Sequence, residues 1–327
     1  MNIFIELLLR RLRVLYLRKH PKTYSIERET DPQKSSDIIY DLLCSSNPCM
    51  IARYGMVEFN CLLNYLGVRY GKKDYCGFIE GKVFPWWWTR DTIFKMTNNA
   101  GFFPSIPGSL ERFSKLLLED TKDLDVLASW INDEKTLEQD LQKVKKIFLP
   151  YLEPYWSKEP WTKALKGKNV LVVHPFSSLI EQQYKEKRKY LFKNENVLPE
   201  FNLITFKAIQ SMGGDGNGFN SWFEALQWMK SEISKIEFDI CIIGCGAYGF
   251  HLAAHVKRLG KKAIHMGGAT QLLFGIRGKR WDDVNYGVNE WGLPSGFYVD
   301  LVNEYWVRPG EAERPKNADS VENACYW

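Results

Sequence analysis

The most constraining stretch of this sequence is a strand-like apolar run that breaks into closely spaced glycines and then continues as a helix. Residues 238–259 read FDICIIGCGAYGFHLAAHVKRL, with Gly244, Gly246 and Gly249 in GxGxxG spacing. Glycine allows a tight turn after a buried strand and lets backbone amides approach a ligand. The N-terminus of the following helix adds partial positive charge, which suits a phosphate.

The flanking sequence supplies the context. Asn169 to His174 (NVLVVH) predicts a strand, with Ser177 and Ser178 placed to cap a helix that runs to about Leu191. Phe201 to Ala208 predicts a second strand. Gly213 to Gly218 is a loop, and Ser221 to Ile236 is a helix with Trp222, Leu226, Met229 and Ile233 on one face. Phe238 to Ile243 is apolar throughout, as in a strand covered on both faces. A helix over Ala247 to Leu259 and a strand over Lys262 to Met266 follow. This alternation predicts an α/β fold, a Rossmann-like parallel sheet with helices on both faces.

Upstream, Cys49 to Tyr54 reads as a short buried strand that stops at Gly55, with helices over Ser35 to Leu43 and from Val57 to about Tyr65. Residues 109–123 and 135–149 both show helical periodicity. Residues 21–34 are polar, contain two prolines and read as a linker. Pro150, Pro154 and Pro160 suggest a boundary near residue 165. The segments are therefore an N-terminal helix over 1–22, a first part over 23–165, a nucleotide-binding half over 166–285 and a tail over 286–327. The tail carries Trp306, Tyr326 and Trp327 and is expected to pack over the cleft.

Composition narrows the function classes. A net charge of +5 without a basic stripe gives no case for nucleic acid. Seven cysteines without paired CxxC motifs argue against zinc and fit a reduced, cytoplasmic setting. Aromatics make up 14% of the chain, including 12 Trp, among them the run Trp86-Trp87-Trp88. Such residues serve cores and binding clefts alike. The first residues read MNIFIELLLRRLRVLYLRKH, and the apolar run before Arg10 is too short to span a bilayer. Their apolar positions alternate with Arg10, Arg11, Arg13, Arg18 and Lys19. That pattern suits an amphipathic helix on an anionic membrane surface, on the inner face of the plasma membrane. An ordinary helix packed on the domain gives the same pattern.

A nicotinamide enzyme wants a carboxylate at the end of the strand after the glycine turn. Here KAIHM offers His265, so no NAD is expected. Tyr248 within the glycine turn, and Lys279 and Arg280 in the later stretch Gly275-Ile276-Arg277-Gly278-Lys279-Arg280, are further phosphate-binding candidates. His174 ends a strand at the carboxyl edge of the sheet. His265, Thr270 and Gln271 are candidates for contacts to a sugar or acceptor. His251 and His255 stand at i, i+4 without an accompanying Glu, a pattern that favours helix packing over metal binding.

The stretch GCGAYGFHLAAHVKRLGKKAIHMGGATQLLFG resembles the C-terminal core of the GT-D-type bacterial glycosyltransferases. Earlier in the chain, Ile51-Ala52-Arg53-Tyr54-Gly55-Met56-Val57-Glu58 is similar to that family's strand-to-helix motif, Arg-aromatic-Gly-Asp-Gly-Glu. The resemblance covers about a third of the chain. It implies GT-D architecture and transfer of a sugar from a nucleotide sugar to a glycan or lipid-linked acceptor, as in surface polysaccharide (capsule) biosynthesis. It also implies a divalent metal, Mn2+ or Mg2+, supported by the Asp-x-Glu pair. Met56 stands where the family has Asp, so Glu58 would be the one carboxylate for such a metal. Arg53 and Glu58 are accordingly the catalytic candidates, with Arg53, Lys279 or Arg280 available to offset diphosphate charge. The family's Asp and His at the end of the next strand correspond here to His265 and Gly268. Two other readings stay open: a Rossmann enzyme using NAD(P) or S-adenosylmethionine, and a non-catalytic nucleotide-sugar-binding protein of polysaccharide assembly. Oligomeric state is not encoded in any feature of the sequence.

Overall fold

A computed structural model describes residues 1–21, 26–310 and 325–327. What the sequence suggested for residues 22–25 and 311–324 lies outside the described residues. Seven strands form one sheet: β1 (Cys49–Ala52), β2 (Val126–Ser129), β3 (Lys145–Phe148), β4 (Asn169–His174), β5 (Asn202–Lys207), β6 (Ile240–Ile243) and β7 (Lys262–His265). Their order is β3-β2-β1-β7-β6-β4-β5, and each neighbouring pair is parallel. The fold is α/β and Rossmann-like, and the sheet runs continuously through the strands on both sides of residue 165.

The helices follow from the same alternation. They are α1 (Ile3–Lys19), α2 (Pro32–Cys44), α3 (Met56–Tyr70), α4 (Tyr75–Ile79), α5 (Arg90–Asn98), α6 (Pro107–Thr121), α7 (Ser177–Leu191), α8 (Trp222–Ile233) and α9 (Gly249–Arg258), with shorter turns after them. Successive strand side chains point to opposite faces. Met50, Ala52, Leu171, Val173, Cys241 and Ile243 therefore meet α3, α6, α8 and α9, around Phe59, Phe113, Trp222 and Leu252. Ile51, Val170, Val172, Ile242 and Ile264 meet α2 and α7 on the other face, around Ile39, Trp161, Ile180 and Phe274. With both faces covered, β1, β2 and β6 are buried along their whole length.

A buried ion pair ties α6 to α9. Asp120 accepts from His251 Nδ1 at 2.6 Å and meets Arg258 at 2.7 Å. Burial opposes ionisation of Asp120, but the His251 hydrogen bond and charge hold its carboxyl below the usual range. His255 bonds instead to Ser234 at 2.9 Å. The two histidines thus serve packing and share no ligand site.

Three local expectations are corrected. Residues 135–149 are not a helix: a 3-10 turn over Asn132–Leu137 leads into β3. The spacing of Leu137, Leu141, Val144 and Phe148 is helical, but the open edge of β2 needs a partner, and Lys145–Phe148 supplies a parallel ladder. Tertiary pairing overrides local pattern here. The supposed linker is also used, since Glu29 bridges to Ile147 beyond β3. Finally, α7 begins at Ser177 itself, with Phe176 before it and no side-chain cap.

α1 is docked on the body, through Leu9 against Phe78 and Trp87. Arg13 donates to the Phe78 carbonyl at 2.6 Å, and the buried Glu6 accepts from the Arg90 amide at 3.1 Å. No helix among the described residues is long and apolar enough to cross a membrane.

Candidate active-site cleft

In open α/β sheets, ligands bind beyond the carboxyl ends of the strands, where connections leave adjacent strands in opposite directions. β4 leads outward to β5, while β6, its neighbour, leads inward to β7. A cleft of about 580 Å3 opens there, lined by Arg53, Glu58, His174, Gly244, Gly246, Tyr248, His265, Gln271 and Arg280. Its size is in the range of small-molecule and cofactor sites. Residues from opposite ends of the chain meet there because β1 and β7 pair, with Ile51 opposite Ile264.

The three glycines of the turn do different things. Gly246 has φ +56°, and open space surrounds the position a Cβ would occupy, so only backbone conformation demands glycine there. At Gly244 a Cβ would stand 2.6 Å from Thr270, so this glycine lets the β6 end approach the turn after β7. At Gly249 a Cβ would stand 2.2 Å from the His265 ring, and Gly249 does not line the cleft. Gly249 therefore serves helix–strand packing rather than phosphate contact. The cleft-facing part of the turn runs from Gly244 to Tyr248, at the head of α9. The first amides of a helix lack intrahelical acceptors, so such a turn presents donors to a ligand.

Arg53 leaves the end of β1 and lies over the Trp130 ring at 5.1 Å. Trp130 is itself fixed by its indole N–H donating to the Tyr54 carbonyl at 3.0 Å. A Cβ at Gly267 would be 3.5 Å from Arg53 Cδ, so the turn after β7 closes on the other side of the arginine. No carboxylate pairs with Arg53 among the described residues. A guanidinium held between a tryptophan and a glycine turn, in a cleft, suits an anion. Glu58 occupies the first turn of α3, and its carboxylate folds back over Gly55, where a Cβ would come within 1.9 Å of Oε2. That is a helix-capping position, favoured by the helix dipole. Met56 is partly exposed beside it.

His174 and His265 are both buried and neutral. The Phe176 amide donates to His174 Nδ1 at 3.0 Å, which leaves the ring proton on Nε2. Burial pushes the His174 pKa down to about 3. For His265, burial and then the nearby Arg53 charge do the same, again to about 3. Its Nδ1 donates to the Ile243 carbonyl at 3.2 Å.

The other candidates divide. Tyr248 borders the cleft, but its ring stacks on Trp222 at 4.9 Å and 7°, and its hydroxyl bonds with Ser211 at 2.7 Å. Thr270 is fully buried, donates to the Ile243 carbonyl at 3.3 Å and does not reach the cleft. Gln271 lines the cleft but donates to the carbonyls of Ile276 and Tyr326, both at 3.2 Å. Arg280 lines the cleft, bonding to the Tyr326 hydroxyl at 3.2 Å and to Cys325 Sγ at 3.1 Å. Lys279, its neighbour on the same 3-10 turn, is exposed and lies outside the cleft lining. Adjacent residues of a turn point in different directions, so one of the two faces inward.

Sequence reasoning missed Glu153 and the aromatic wall of the cleft. Glu153 lines the cleft, with Oε2 accepting from the Tyr298 hydroxyl at 2.9 Å and from the Trp156 indole at 3.4 Å. Oε1 has no hydrogen-bond partner among the described residues. The surrounding protein desolvates the carboxyl and pushes its pKa up to about 7, against the stabilising pull of those two donors. Its flanks, Leu-Glu-Pro, carry no recognisable motif. Trp281, Tyr286, Trp291, Tyr326 and Trp327 complete the wall. The last two return the chain's end to the cleft, where Tyr326 abuts Gly268 and Trp327 meets Phe176 edge-on at 5.8 Å.

Among the described residues, no three His, Cys, Asp or Glu side chains converge to hold a metal ion. Glu58 is a single carboxylate engaged at a helix start, so the residues present do not fit the metal site that the Asp-x-Glu motif implies. Compared with protein-family models, with curated proteins and with solved structures, the chain has no match in any of the three.

Proposed function

We propose that this protein is a glycosyltransferase of GT-D type, taking a nucleotide sugar as donor and a glycan or lipid-linked molecule as acceptor on the cytoplasmic side of the membrane. One observation carries the reading. The Gly246 turn at the head of α9 and Arg53, which has no carboxylate partner among the described residues, line one cleft of about 580 Å3. Backbone donors, a helix dipole and a fixed guanidinium together suit a diphosphate, and the aromatic wall suits a base or sugar ring.

In such a transfer the acceptor hydroxyl oxygen bonds to the anomeric carbon, the bond from that carbon to the diphosphate breaks, and the hydroxyl loses its proton. Arg53 and Arg280 offset charge growing on the diphosphate. Glu153 is the residue suited to take the proton. It is held by Tyr298 and Trp156, has an Oε1 unbonded among the described residues, and titrates near neutrality. His174 contributes a neutral Nε2–H donor. Glu58 stabilises the α3 start beside Arg53.

The test is thermal stabilisation by UDP, GDP, CMP and TDP sugars, NAD(P) and S-adenosylmethionine, each with and without Mn2+ or Mg2+. A ligand that binds only the folded state raises Tm by mass action. A shift from one nucleotide sugar, followed by release of its nucleotide when acceptor is supplied, supports the reading and names the donor. A shift from NAD(P) or S-adenosylmethionine alone overturns it. Binding of a nucleotide sugar without turnover against any acceptor favours an assembly protein.

A further inference from the structure

α1 presents two faces of different character. The inner face is occupied: Leu9 is buried on Phe78 and Trp87, Glu6 is buried, and Arg13 is bonded to the body. The outer face is not. Of the 19 large hydrophobic residues exposed among the described residues, nine fall between Met1 and Leu15. Phe4 is 78% exposed, Leu7 56% and Leu8 57%. A helix with this much apolar surface turned to water is unusual unless something covers it.

The spacing shows what that is. Phe4, Leu8, Arg11, Leu15 and Arg18 follow i, i+4, i+7, i+11 and i+14, one stripe of a helix. Lys19 is also exposed. Arg11, Arg18 and Lys19 have no acidic partner among the described residues, whereas Arg10 on the inner flank pairs with Asp91 at 3.3 Å. Apolar and cationic side chains therefore share the outward face. A purely apolar partner groove would leave these cations buried and unpaired. A second copy of the same face would bring like charges together. An anionic bilayer surface accommodates both, since apolar side chains enter the acyl boundary while arginine and lysine reach the headgroups.

We propose that α1 is a membrane-surface anchor, already folded and fixed to the body of the protein, which docks its outward stripe on anionic lipid. The anchor spans nothing. It holds the protein at the bilayer surface by a rigid attachment through Leu9, Glu6 and Arg13. This inference is independent of the transferase reading and is tested without activity.

The experiment is co-sedimentation of the full chain with phosphatidylglycerol–phosphatidylcholine vesicles and with phosphatidylcholine vesicles alone. The chain should pellet with the anionic vesicles and be released by high salt, because screening shortens the reach of surface charge. The triple variant Arg11→Ser, Arg18→Ser, Lys19→Ser should lose affinity for anionic vesicles on the order of 100-fold, at about 1 kcal/mol per cation. The triple variant Phe4→Ser, Leu8→Ser, Leu15→Ser should bind neither vesicle. All six positions face outward, so both variants should keep the parent Tm, which is measured alongside. No binding to anionic vesicles, or equal binding to both kinds, overturns the proposal. So does a dimer of the parent in light scattering that the apolar-face triple variant abolishes, while vesicles leave the parent in the supernatant.

Discussion

Two strand-to-helix turns border the cleft, and they are built on opposite principles. The turn from β6 to α9 works through its backbone. Gly244 lets the chain pass Thr270, Gly246 takes φ +56°, and Gly249 seats the helix on His265. The turn from β1 to α3 works through side chains: Arg53 on Trp130, and Glu58 folded over Gly55. A backbone site is indifferent to most substitutions that keep its conformation. A side-chain site changes its chemistry with each residue, and this is where Met56 departs from the Asp of the resembled motif.

Under the proposed function, the largest expected effect lies on neither turn but on Glu153. Glu153→Gln should lower turnover by about 100-fold or more while leaving nucleotide binding intact, since general-base contributions run from about 100-fold upward. In the parent, turnover should fall as pH drops below about 7, where the carboxyl takes up its proton. Stability should move the other way. A carboxyl whose folded pKa is raised contributes stability below its unfolded pKa and loses it as pH rises through about 7. Glu153→Gln should therefore add roughly 3 kcal/mol of stability and raise Tm at pH 8, and leave both unchanged near pH 4. A flat pH–rate profile would remove Glu153 from the chemistry.

Arg53→Ala tests the side-chain turn directly. Losing charge-assisted bonds to a diphosphate should weaken nucleotide binding by about 10- to 100-fold in calorimetry, with little change in Tm. Equal affinity in the variant would mean that the backbone turn alone carries the anion.

The two glycines of the backbone turn should separate next. Gly249→Ala places a methyl 2.2 Å from the His265 ring and should cost about 1–3 kcal/mol in denaturant unfolding. Gly246→Ala meets no atom within 4 Å and should cost only the strain of its φ, about 1 kcal/mol, but should weaken nucleotide binding more. The reverse ranking for binding would exchange their roles. The smallest effect should come from Glu58→Gln, a few tenths of a kcal/mol from the α3 dipole. A loss of metal-dependent stabilisation in that variant would instead restore a metal to the site.

How much of this could be read from residues alone differed by element. β4, β6 and β7 and their helices were legible because each is a continuous apolar run beside a glycine or polar break. β2 was not anticipated: Val-Leu-Ala-Ser is four residues with every side chain buried, a pattern without periodicity. β3 reads as helix because Leu137, Leu141, Val144 and Phe148 are spaced helically. Within the site, Gly244, Gly246, Arg53, His174 and Arg280 do border the cleft, since strand ends and glycine turns are local signals. Thr270 and Lys279 were proposed from proximity in the chain, which does not say which way a side chain points. Glu153 could not be singled out, because its chemistry comes from burial beside Tyr298 and Trp156 rather than from its neighbours in sequence.

The sequence by itself determined the alternation of buried strand and amphipathic helix, the positive-φ turn before α9, and the two faces of α1. Each is set by side-chain period or by a glycine, within a few residues. Only the tertiary structure decided that β1 pairs with β7, so that Arg53, the Gly246 turn and Glu153 border the same cleft. Parallel pairing joins distant segments through backbone hydrogen bonds that are alike for every residue, so its register is chosen by the packing of the whole sheet.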